Sequence, residues 1–329
     1  MTTPRICVAG IGAIGGTLAA TLARGGAPVS LIARGETLSH LRAHGLTLTG
    51  AGQAYTCRPD AAERASGPAD ILFLAVKSHQ LPSLLPAILP AVGPETLIVP
   101  VVNGIPWWMT AGDAPPAFRA IAPLLDPTGQ LAIHLPTRQI AGCVAYAFSA
   151  SPASGRVHSL RPMRLMLGPA TSGPHARLDQ LADLLRACGI DACIADTIRG
   201  EIWTKLAGNV ASNPLSVITG ATLAAMATTP ATRAIVHATL NEAIAVGTAC
   251  GIPPLKPAGA ICDIMAAAGA HETSMLQDFR AGRTLETVAI GDALVALAAH
   301  LGVPTPVTAT LLGLVTFQCT SLPVKEQTS

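Results

Sequence analysis

Short apolar runs alternate with longer Ala- and Leu-rich stretches over the N-terminal part of the chain. Runs at residues 5–9, 29–33, 71–76 and 97–102 have the length of buried strands, and residues 14–24 have the pattern of a helix. Further strands are predicted at 140–148, 164–168 and 191–195, with a turn region at 149–155 and a helix at 177–188. Continuous apolar strands separated by helices are typical of a parallel sheet that is covered on both faces, so we predict an α/β fold.

The pattern changes after about residue 199, where long Ala-rich stretches replace the strand-like runs. These stretches lie at 201–211, 232–250, 257–268 and 286–301, and prolines separate some of them. We therefore expect two domains: residues 1–198, which form the sheet, and residues 199–329, which are all helical.

Composition narrows the class of protein. The net charge is +2, which gives no basic patch for nucleic acid. The eight cysteines include no C-x-x-C pair, which favours reduced thiols in a cytosolic protein. The first residues, MTTPRICVAG, lack the layout of a signal peptide, and no stretch of about 18 apolar residues is free of both charge and proline. We expect a cytoplasmic protein without a nucleic-acid or membrane partner, and a homodimer remains an option.

The clearest motif is a glycine-rich turn directly after the first predicted strand, with the sequence Gly10-Ile11-Gly12-Ala13-Ile14-Gly15. In a Rossmann-type domain the first glycine of G-x-G-x-x-G allows a tight turn. The second lets a pyrophosphate approach the backbone, and the third allows close packing of helix and strand. A chance glycine turn is the alternative, but the position between a strand and a helix is the context that the motif requires. We predict a dinucleotide-binding, doubly wound domain.

The residue after the second predicted strand indicates which dinucleotide is bound. Sites that prefer NAD usually carry an acidic residue there, whereas this chain has Arg34. A guanidinium can bond a 2′-phosphate with two N–H groups, so we predict NADP as the cofactor. An ordinary exposed loop arginine is the alternative, and the nearby Glu36 keeps NAD open.

Polar side chains follow two other predicted strands, at the sheet edge where ligands of α/β proteins bind. Lys77 and Gln80 follow the third strand, and Asn103 follows the fourth. We predict that Lys77 and Gln80 face the cofactor, and that Asn103 reaches both nicotinamide and substrate. The alternatives are a solvated charge at Lys77 and a simple Asn-Gly turn at residues 103–104.

Three polar residues recur every four positions in the second half, namely Lys205, Asn209 and Asn213. This spacing puts them on one face of a helix, which suits a helix that lines a polar ligand site. The alternative is a solvent-exposed face on which Glu201 and Lys205 form an ordinary ion pair. Two further candidate site residues are Ser274 and Glu286. Ser274 could instead be a helix cap, and Glu286 could instead be an acidic residue that stabilises a helix N-terminus.

The chain resembles the ketopantoate reductase (2-dehydropantoate 2-reductase) family over nearly its whole length. The matching segments are GIGAIG, AVKSHQ, VNGI, EIWTKLAGNVASNPL and SMLQDFRAGRTLE, in that order along the chain. The resemblance implies transfer of a hydride from NADPH to the C2 carbonyl of ketopantoate, a step of pantothenate biosynthesis. It implies that Lys205 is the general acid and that Glu286 positions it and touches the cofactor. Asn103, Asn209, Asn213 and Ser274 match substrate contacts, and Ala147 matches a cofactor contact.

Two departures from the family leave the substrate open. After Glu286 the chain reads Thr-Val-Ala-Ile-Gly-Asp, where the family typically has an acidic and aromatic run. Trp107 and Trp108 follow Asn103-Gly104, so we expect the distal group of the substrate near these indoles. An NAD(P)-dependent dehydrogenase of another branched or aromatic 2-keto acid is therefore an alternative. A non-catalytic nucleotide-binding sensor is a second one.

Overall fold

The computed structural model describes residues 4–50, 53–112, 114–171 and 176–321. It consists of two compact units, each with its own internal packing. The first comprises Met1–Val102, Pro106–Asp113 and Asp126–Ile198, and the second comprises Asn103–Ile105, Ala114–Leu125 and Arg199–Ser329. The short segment Asn103–Ile105, which follows a strand of the first unit, thus belongs to the second.

The strands all lie in the first unit, and the helices are distributed over both. The strands are β1 (Ile6–Ala9), β2 (Val29–Ile32), β3 (Leu46–Gly50), β4 (Gln53–Cys57), β5 (Asp60–Ala62), β6 (Ile71–Leu74), β7 (Leu97–Pro100), β8 (Ala141–Tyr146), β9 (Ser149–Ala153), β10 (Arg156–Ser159), β11 (Arg164–Pro169) and β12 (Asp191–Ile194). The helices are α1 (Ala13–Arg24), α2 (Gly35–His44), α3 (Leu81–Ile88), α4 (Ala122–Leu125), α5 (Gln130–His134), α6 (Ala176–Ala187), α7 (Ile198–Thr219), α8 (Leu223–Thr228), α9 (Pro230–Ala249), α10 (Ala258–Ala267), α11 (Ser274–Arg280), α12 (Ala293–Leu301) and α13 (Pro306–Ser321).

The first unit is built on a parallel sheet in the order β5-β2-β1-β6-β7, which confirms the predicted fold class. Every residue of β1, β6 and β7 is buried, so both faces of the sheet are covered. A mixed sheet in the order β12-β11-β8 adjoins it through a parallel bridge between Ile98 and Ile140. This order brings the carboxyl ends of β1, β2, β6 and β7 to one edge, where the glycine turn begins.

The predicted turn region at 149–155 is wrong for residues 149–153 and correct for residues 154–155, which form the turn. Residues Ser149–Ala153 form β9, which pairs with β10 in an antiparallel hairpin. Together with β3 and β4 these strands make a second sheet, in the order β4-β3-β10-β9. Small and turn-forming residues obscured the strand in the sequence. Pro152 is compatible with β9 because β9 is an edge strand, where a missing N–H costs no ladder bond.

Helix α7 is longer than the predicted stretch 201–211 and continues through Pro214 to Thr219. A proline within a helix removes one N–H donor and usually bends or ends the helix. Here the turn after the proline is held by burial, since Leu215, Ser216 and Val217 are at most 4% exposed. The predicted single helix 286–301 is divided into a π-helical turn (Val288–Asp292) and α12. Helices α2, α3, α4, α5, α8, α11 and α13 were not predicted.

The cysteines are all free thiols in the residues that the structure describes. Burial raises the pKa of Cys7 in β1 and of Cys250 after α9 to about 11, so both stay protonated and pack as small apolar groups. Within the described ranges, no group of His, Cys, Asp and Glu side chains could hold a metal ion. None of the described helices combines the length and apolarity needed to span a bilayer.

The carboxylate of Glu242 in α9 caps the N-terminus of α13. Its oxygens accept hydrogen bonds from the N–H groups of Val307 and Thr308 at 2.9 and 2.8 Å and from the Thr308 hydroxyl at 2.7 Å. We predict that Glu242→Ala lowers the free energy of unfolding by about 2 kcal/mol, because buried donors lose a charged acceptor. Chemical denaturation measures this change. Asp263→Ala, which removes an exposed carboxylate from α10, should leave stability nearly unchanged.

Candidate active site

The glycine turn after β1 has the geometry that a bound pyrophosphate needs. Gly10 has a φ of 94°, and a Cβ there would lie 2.8 Å from the Ala75 carbonyl oxygen. A Cβ on Gly15 would lie 1.9 Å from the Gly10 carbonyl oxygen, so α1 packs directly on the turn. At Gly12, the exposed residue before α1, a Cβ would meet nothing within 4 Å. The space beside Gly12 and the first N–H groups of α1, those of Ala13, Ile14 and Gly15, therefore suit an anionic group.

Arg34 lies at the start of α2, two residues after β2 ends. Its side chain is exposed, and among the described residues its guanidinium makes no hydrogen bond or ion pair. Glu36 is also exposed, in the first turn of α2. Its planar guanidinium, which carries a positive charge and two parallel N–H donors, is suited to bind an anionic ligand group at this strand end.

The remaining predicted cofactor residues of the first unit have partly local roles. Gln80 Oε1 accepts a hydrogen bond from the Lys77 N–H at 3.2 Å, and the Gln80 N–H donates to the Lys77 carbonyl at 2.8 Å. The side-chain oxygen of Gln80 therefore fixes the backbone that carries Lys77. Ala147 follows β8 and packs, partly buried, against the core of this unit.

The second unit brings two predicted site residues together. Lys205 on α7 donates a hydrogen bond from Nζ to Asn103 Oδ1, and the two atoms are 2.9 Å apart. The residues are separated by 102 positions in the sequence. This contact holds the ammonium group at a defined place and uses the acceptor atom of the amide.

Asn103 is itself held by the turn that follows it. Gly104 has a φ of 78°, and a Cβ there would lie 2.3 Å from the Ala289 carbonyl oxygen. The same oxygen accepts a hydrogen bond from the Ile105 N–H at 2.8 Å. Ala289 lies in the π-helical turn, a feature that is frequent at functional sites, and Glu286 lies two residues before that turn begins. Glu286 is 6% exposed, so its carboxylate belongs to the interior of this unit.

The other two residues of the predicted stripe also lie on α7. Asn213 is 3% exposed, and its Oδ1 lies 3.4 Å from the Ser212 hydroxyl, which donates its proton to the Gly208 carbonyl at 2.7 Å. Its Nδ2 is buried and has no hydrogen-bond partner among the described residues. A buried N–H without an acceptor costs free energy, which a ligand oxygen would recover. Asn209 is partly exposed, and no described residue hydrogen-bonds to its side chain.

Ser274 is the first residue of α11, and its side chain is exposed. It does not cap the helix, which was its structural alternative. The cap is Thr273, whose hydroxyl accepts a hydrogen bond from the Leu276 N–H at 3.1 Å. The hydroxyl of Ser274 is thus not used for capping.

Trp107 and Trp108 do not have the exposure expected of substrate contacts. They are 2% and 1% exposed and belong to the first unit. The indole of Trp108 packs against Gly142, where a Cβ would lie 3.0 Å from the ring. The glycine accommodates the ring, so we interpret the two indoles as packing residues rather than as the substrate contacts expected from the sequence.

Sequence reasoning assigned no role to four side chains that lie close in sequence to the candidate residues, namely Ser216, Thr273, Asp278 and Arg283. The hydroxyls of Ser216 and Thr273 are 2.6 Å apart in the interior of the second unit. Asp278 of α11 accepts a 2.8 Å hydrogen bond from Nε of Arg283, which lies in the loop between α11 and Glu286. Threonine and serine in helical segments carry little signal in the sequence, because most such hydroxyls bond only to their own helix.

The sheet topology and the glycine turn define the class as a dinucleotide-binding protein with a Rossmann-type domain. Comparison with known proteins identifies the family. A family model described as ketopantoate reductase PanE/ApbA matches residues 6–172, and its C-terminal counterpart matches residues 197–318. The chain belongs to the ketopantoate reductase family.

Individual relatives agree with this assignment. The 2-dehydropantoate 2-reductase of Mesorhizobium japonicum is 36% identical over 316 residues, which cover 94% of this chain and 96% of that protein. A crystal structure from Ralstonia solanacearum MolK2, assigned by name to the ketopantoate reductases, is 36% identical with a TM-score of 0.90. The match covers 97% of this chain and 99% of that one. The ternary structure of D-mandelate dehydrogenase with NADH and anilino(oxo)acetate is similar in fold, with a TM-score of 0.85 at 23% identity. That match covers 97% of this chain and 100% of the dehydrogenase chain.

The glycine turn allows a test in which stability and cofactor binding separate. Gly15→Ala places a methyl group into the Gly10 backbone and should lower the free energy of unfolding by about 2–3 kcal/mol. Gly12→Ala meets no protein atom, so its stability should stay within about 1 kcal/mol of wild type. Its Kd for the dinucleotide should rise at least about ten-fold, because the methyl group fills the space beside the helix N-terminus. Chemical denaturation and fluorescence titration measure the two quantities, and wild-type dinucleotide affinity in Gly12→Ala would contradict the assignment.

Proposed function

We propose that the chain reduces 2-dehydropantoate to pantoate and uses NADPH as the hydride donor. The curated relative from Mesorhizobium japonicum carries this activity in its name and aligns over 94% of the chain. Membership of the family makes the reaction type, reduction of a small 2-keto acid, the first choice. The substrate and the preference for NADPH are inferred from the residues below.

The hydrogen bond from Lys205 to Asn103 is the observation that carries the proposal. A surface ion pair with Glu201, the structural alternative, would not need a buried helix that brings an ammonium to the Asn-Gly turn. Here the lysine lies on α7 between the buried residues Thr204 and Leu206, and its head group is held by an amide from a distant segment. The arrangement fixes a proton donor in place.

The chemistry follows from the charge that develops on the substrate. When bound, the dinucleotide supplies a hydride to the carbonyl carbon. The carbonyl oxygen then gains negative charge, and Lys205 donates a hydrogen bond and finally a proton to it. Because Asn103 holds the ammonium in place before the reaction, little reorganisation is needed at the moment of charge transfer.

The neighbouring residues would bind and orient the substrate. The Nδ2 of Asn213, which has no partner in the described part of the chain, and the side chain of Asn209 are suited to carboxylate and hydroxyl oxygens. Ser274 would supply an exposed hydroxyl from the start of α11. The buried Glu286 would position Lys205 and touch the cofactor, as the family resemblance implies.

The first unit would hold the dinucleotide. The open space at Gly12 and the N-terminus of α1 fit a pyrophosphate, and the guanidinium of Arg34, which pairs with no described residue, fits a 2′-phosphate. Lys77, Gln80, Asn103 and Ala147 would supply the further cofactor contacts that were predicted from the sequence. Arg34 is the feature that favours NADPH over NADH.

A turnover screen of NADPH and NADH against a panel of 2-keto acids tests the proposal. We expect NADPH to be oxidised fastest with 2-dehydropantoate. A faster reaction with another branched or aromatic 2-keto acid would support the alternative dehydrogenase. A chain that binds NADPH but turns over no 2-keto acid would support the sensor hypothesis and contradict enzymatic reduction.

Arg34→Ala tests the cofactor preference. It should raise the KM for NADPH about ten- to hundred-fold, because a charge-assisted bidentate contact contributes about 1.5–3 kcal/mol. The KM for NADH should barely change, since NADH lacks the 2′-phosphate. Arg24→Ala serves as the control in the same steady-state assay. It removes an exposed arginine from the C-terminal end of α1, away from the glycine turn at the start of that helix. An equal loss with both dinucleotides, or a wild-type preference for NADH, would refute the role of Arg34.

Lys205→Ala tests the proton donor. The variant should lower kcat at least about a hundred-fold, because a general acid contributes about 10²–10⁴-fold. The Kd for NADPH should stay nearly unchanged, because the glycine turn belongs to the other unit. Glu286→Ala should also lower kcat, and the double variant should lose much less than the product of the single losses.

Lys256→Ala is the matched control, since Lys256 is an exposed lysine of the same unit. It should retain wild-type kcat. Steady-state kinetics and cofactor titration on folded variants separate the possible outcomes. Near-normal turnover by Lys205→Ala would remove the catalytic assignment.

A further inference from the structure

We propose that Thr273 and Ser216 are positioning residues that hold the two substrate-binding segments of the second unit at a fixed separation. The inference rests on the proposed function, in which Asn213 on α7 and Ser274 on α11 contact the substrate. Thr273 directly precedes Ser274, and Ser216 lies one helical turn after Asn213. Their hydroxyl oxygens are 2.6 Å apart, although the residues are separated by 57 positions.

The hydrogen bonds around this pair have a single consistent direction. The Ser216 hydroxyl donates its only proton to the Asn213 carbonyl at 2.7 Å. Thr273 must therefore donate to Ser216 across the 2.6 Å contact. Thr273 in turn accepts from the Leu276 N–H, which caps α11. The result is a continuous relay from the first turn of α11, through two hydroxyls, to the backbone of Asn213.

Burial makes this relay costly to break. Ser216 is 0% exposed and Thr273 is 4% exposed, so water cannot readily replace a lost partner. A buried polar group that loses its partner bears the full desolvation cost, and bonds within a chain polarise one another. The relay is therefore a stiff connection between the two helices.

The relay contacts α7 next to Pro214, where the helix lacks one of its backbone hydrogen bonds. Pro214 has no N–H, so the Val210 carbonyl lacks its usual donor four residues later. Asn213 directly precedes this proline, and Ser216 donates back to the Asn213 carbonyl of its own helix. The orientation of the Asn213 amide thus depends on how the turn around Pro214 is held, and Ser216 and Thr273 hold it.

A loss of this connection should affect substrate binding and not the chemical step. The chemistry is assigned to Lys205 and Asn103, which lie at least two helical turns away along α7 or on another segment. Displacing Asn213 and Ser274 would weaken contacts that the substrate makes before and during the reaction alike. Such a loss raises KM and leaves kcat at saturation largely intact.

The experiment compares Thr273→Val, Thr273→Ser and Ser216→Ala in steady-state kinetics with 2-dehydropantoate and NADPH. Thr273→Val keeps the shape and removes the hydroxyl, and it should raise the KM for the keto acid about ten-fold. Ser216→Ala should do the same, and the Ser216→Ala/Thr273→Val variant should lose little more than either single variant. In Thr273→Val, Ser216→Ala and the double variant, kcat should stay within about two-fold of wild type. Thr273→Ser restores the hydroxyl and should return KM to within about two-fold of wild type.

Thr222→Val is the matched control. Thr222 caps α8 in the same unit, where its hydroxyl accepts from the Ala225 N–H at 3.4 Å, and α8 carries no predicted substrate residue. This variant should lower the midpoint of thermal unfolding without changing KM. Thermal unfolding of every variant shows that the kinetic assay is run on folded protein.

The outcomes distinguish the inference from the proposed function. A wild-type protein that reduces no 2-keto acid would refute the proposed function, and the inference with it. A wild type that reduces the keto acid, with unchanged KM in Thr273→Val and Ser216→Ala, would overturn the inference alone. An equal rise of KM in Thr222→Val would overturn it as well, because the effect would then be one of general stability.

Discussion

The hydrogen bond between Lys205 Nζ and Asn103 Oδ1 is the interaction around which the candidate active site is arranged. An ammonium on a long flexible stem is useful as a proton donor only if its position is fixed before the substrate gains charge. The amide of Asn103 supplies this fixation from a segment that is distant in sequence. The segment in turn requires Gly104, because any side chain there would collide with the Ala289 carbonyl.

The same principle of fixed backbone and exposed donors applies in the first unit. The glycines of the turn after β1 have different constraints: Gly10 requires a positive φ, Gly15 requires close packing, and Gly12 leaves open space. Of these three positions, Gly12 is the one at which the surrounding protein would leave room for a side chain. The glycine at this position is best explained by a ligand that occupies the space where a side chain would lie. The helix N-terminus beside Gly12 indicates that this ligand is anionic.

The sequence predicted those parts of the molecule that depend on local pattern. The buried strands β1, β6 and β7, the glycine turn and the polar face of α7 all follow from hydrophobic periodicity and short motifs. Features that depend on tertiary packing were missed. Pro214 does not end α7 because the following turn is buried, and residues 149–153 form a strand because a neighbouring strand pairs with them. The indoles of Trp107 and Trp108 looked like ligand contacts, but they pack internally.

The candidate site was predictable to a similar extent. The residue types and their spacing indicated Lys205, Asn209 and Asn213, and resemblance to the family supplied their roles. Neither could reveal which donors lack partners or how Thr273 and Ser216 are connected, because these depend on distances between segments. The unpaired Nδ2 of Asn213 is the clearest example, since only a folded structure shows that this donor is both buried and unsatisfied.

Transfer of deuterium from the cofactor to the substrate carbon is the most direct test of the central claim, that this chain reduces the carbonyl of a 2-keto acid. The wild-type protein is incubated with 2-dehydropantoate and NADPH that carries deuterium at the transferable C4 position. The product is then analysed by NMR and mass spectrometry. The account predicts pantoate with deuterium bound at C2 and one equivalent of oxidised cofactor. Recovery of unreacted keto acid with NADPH still reduced would contradict it.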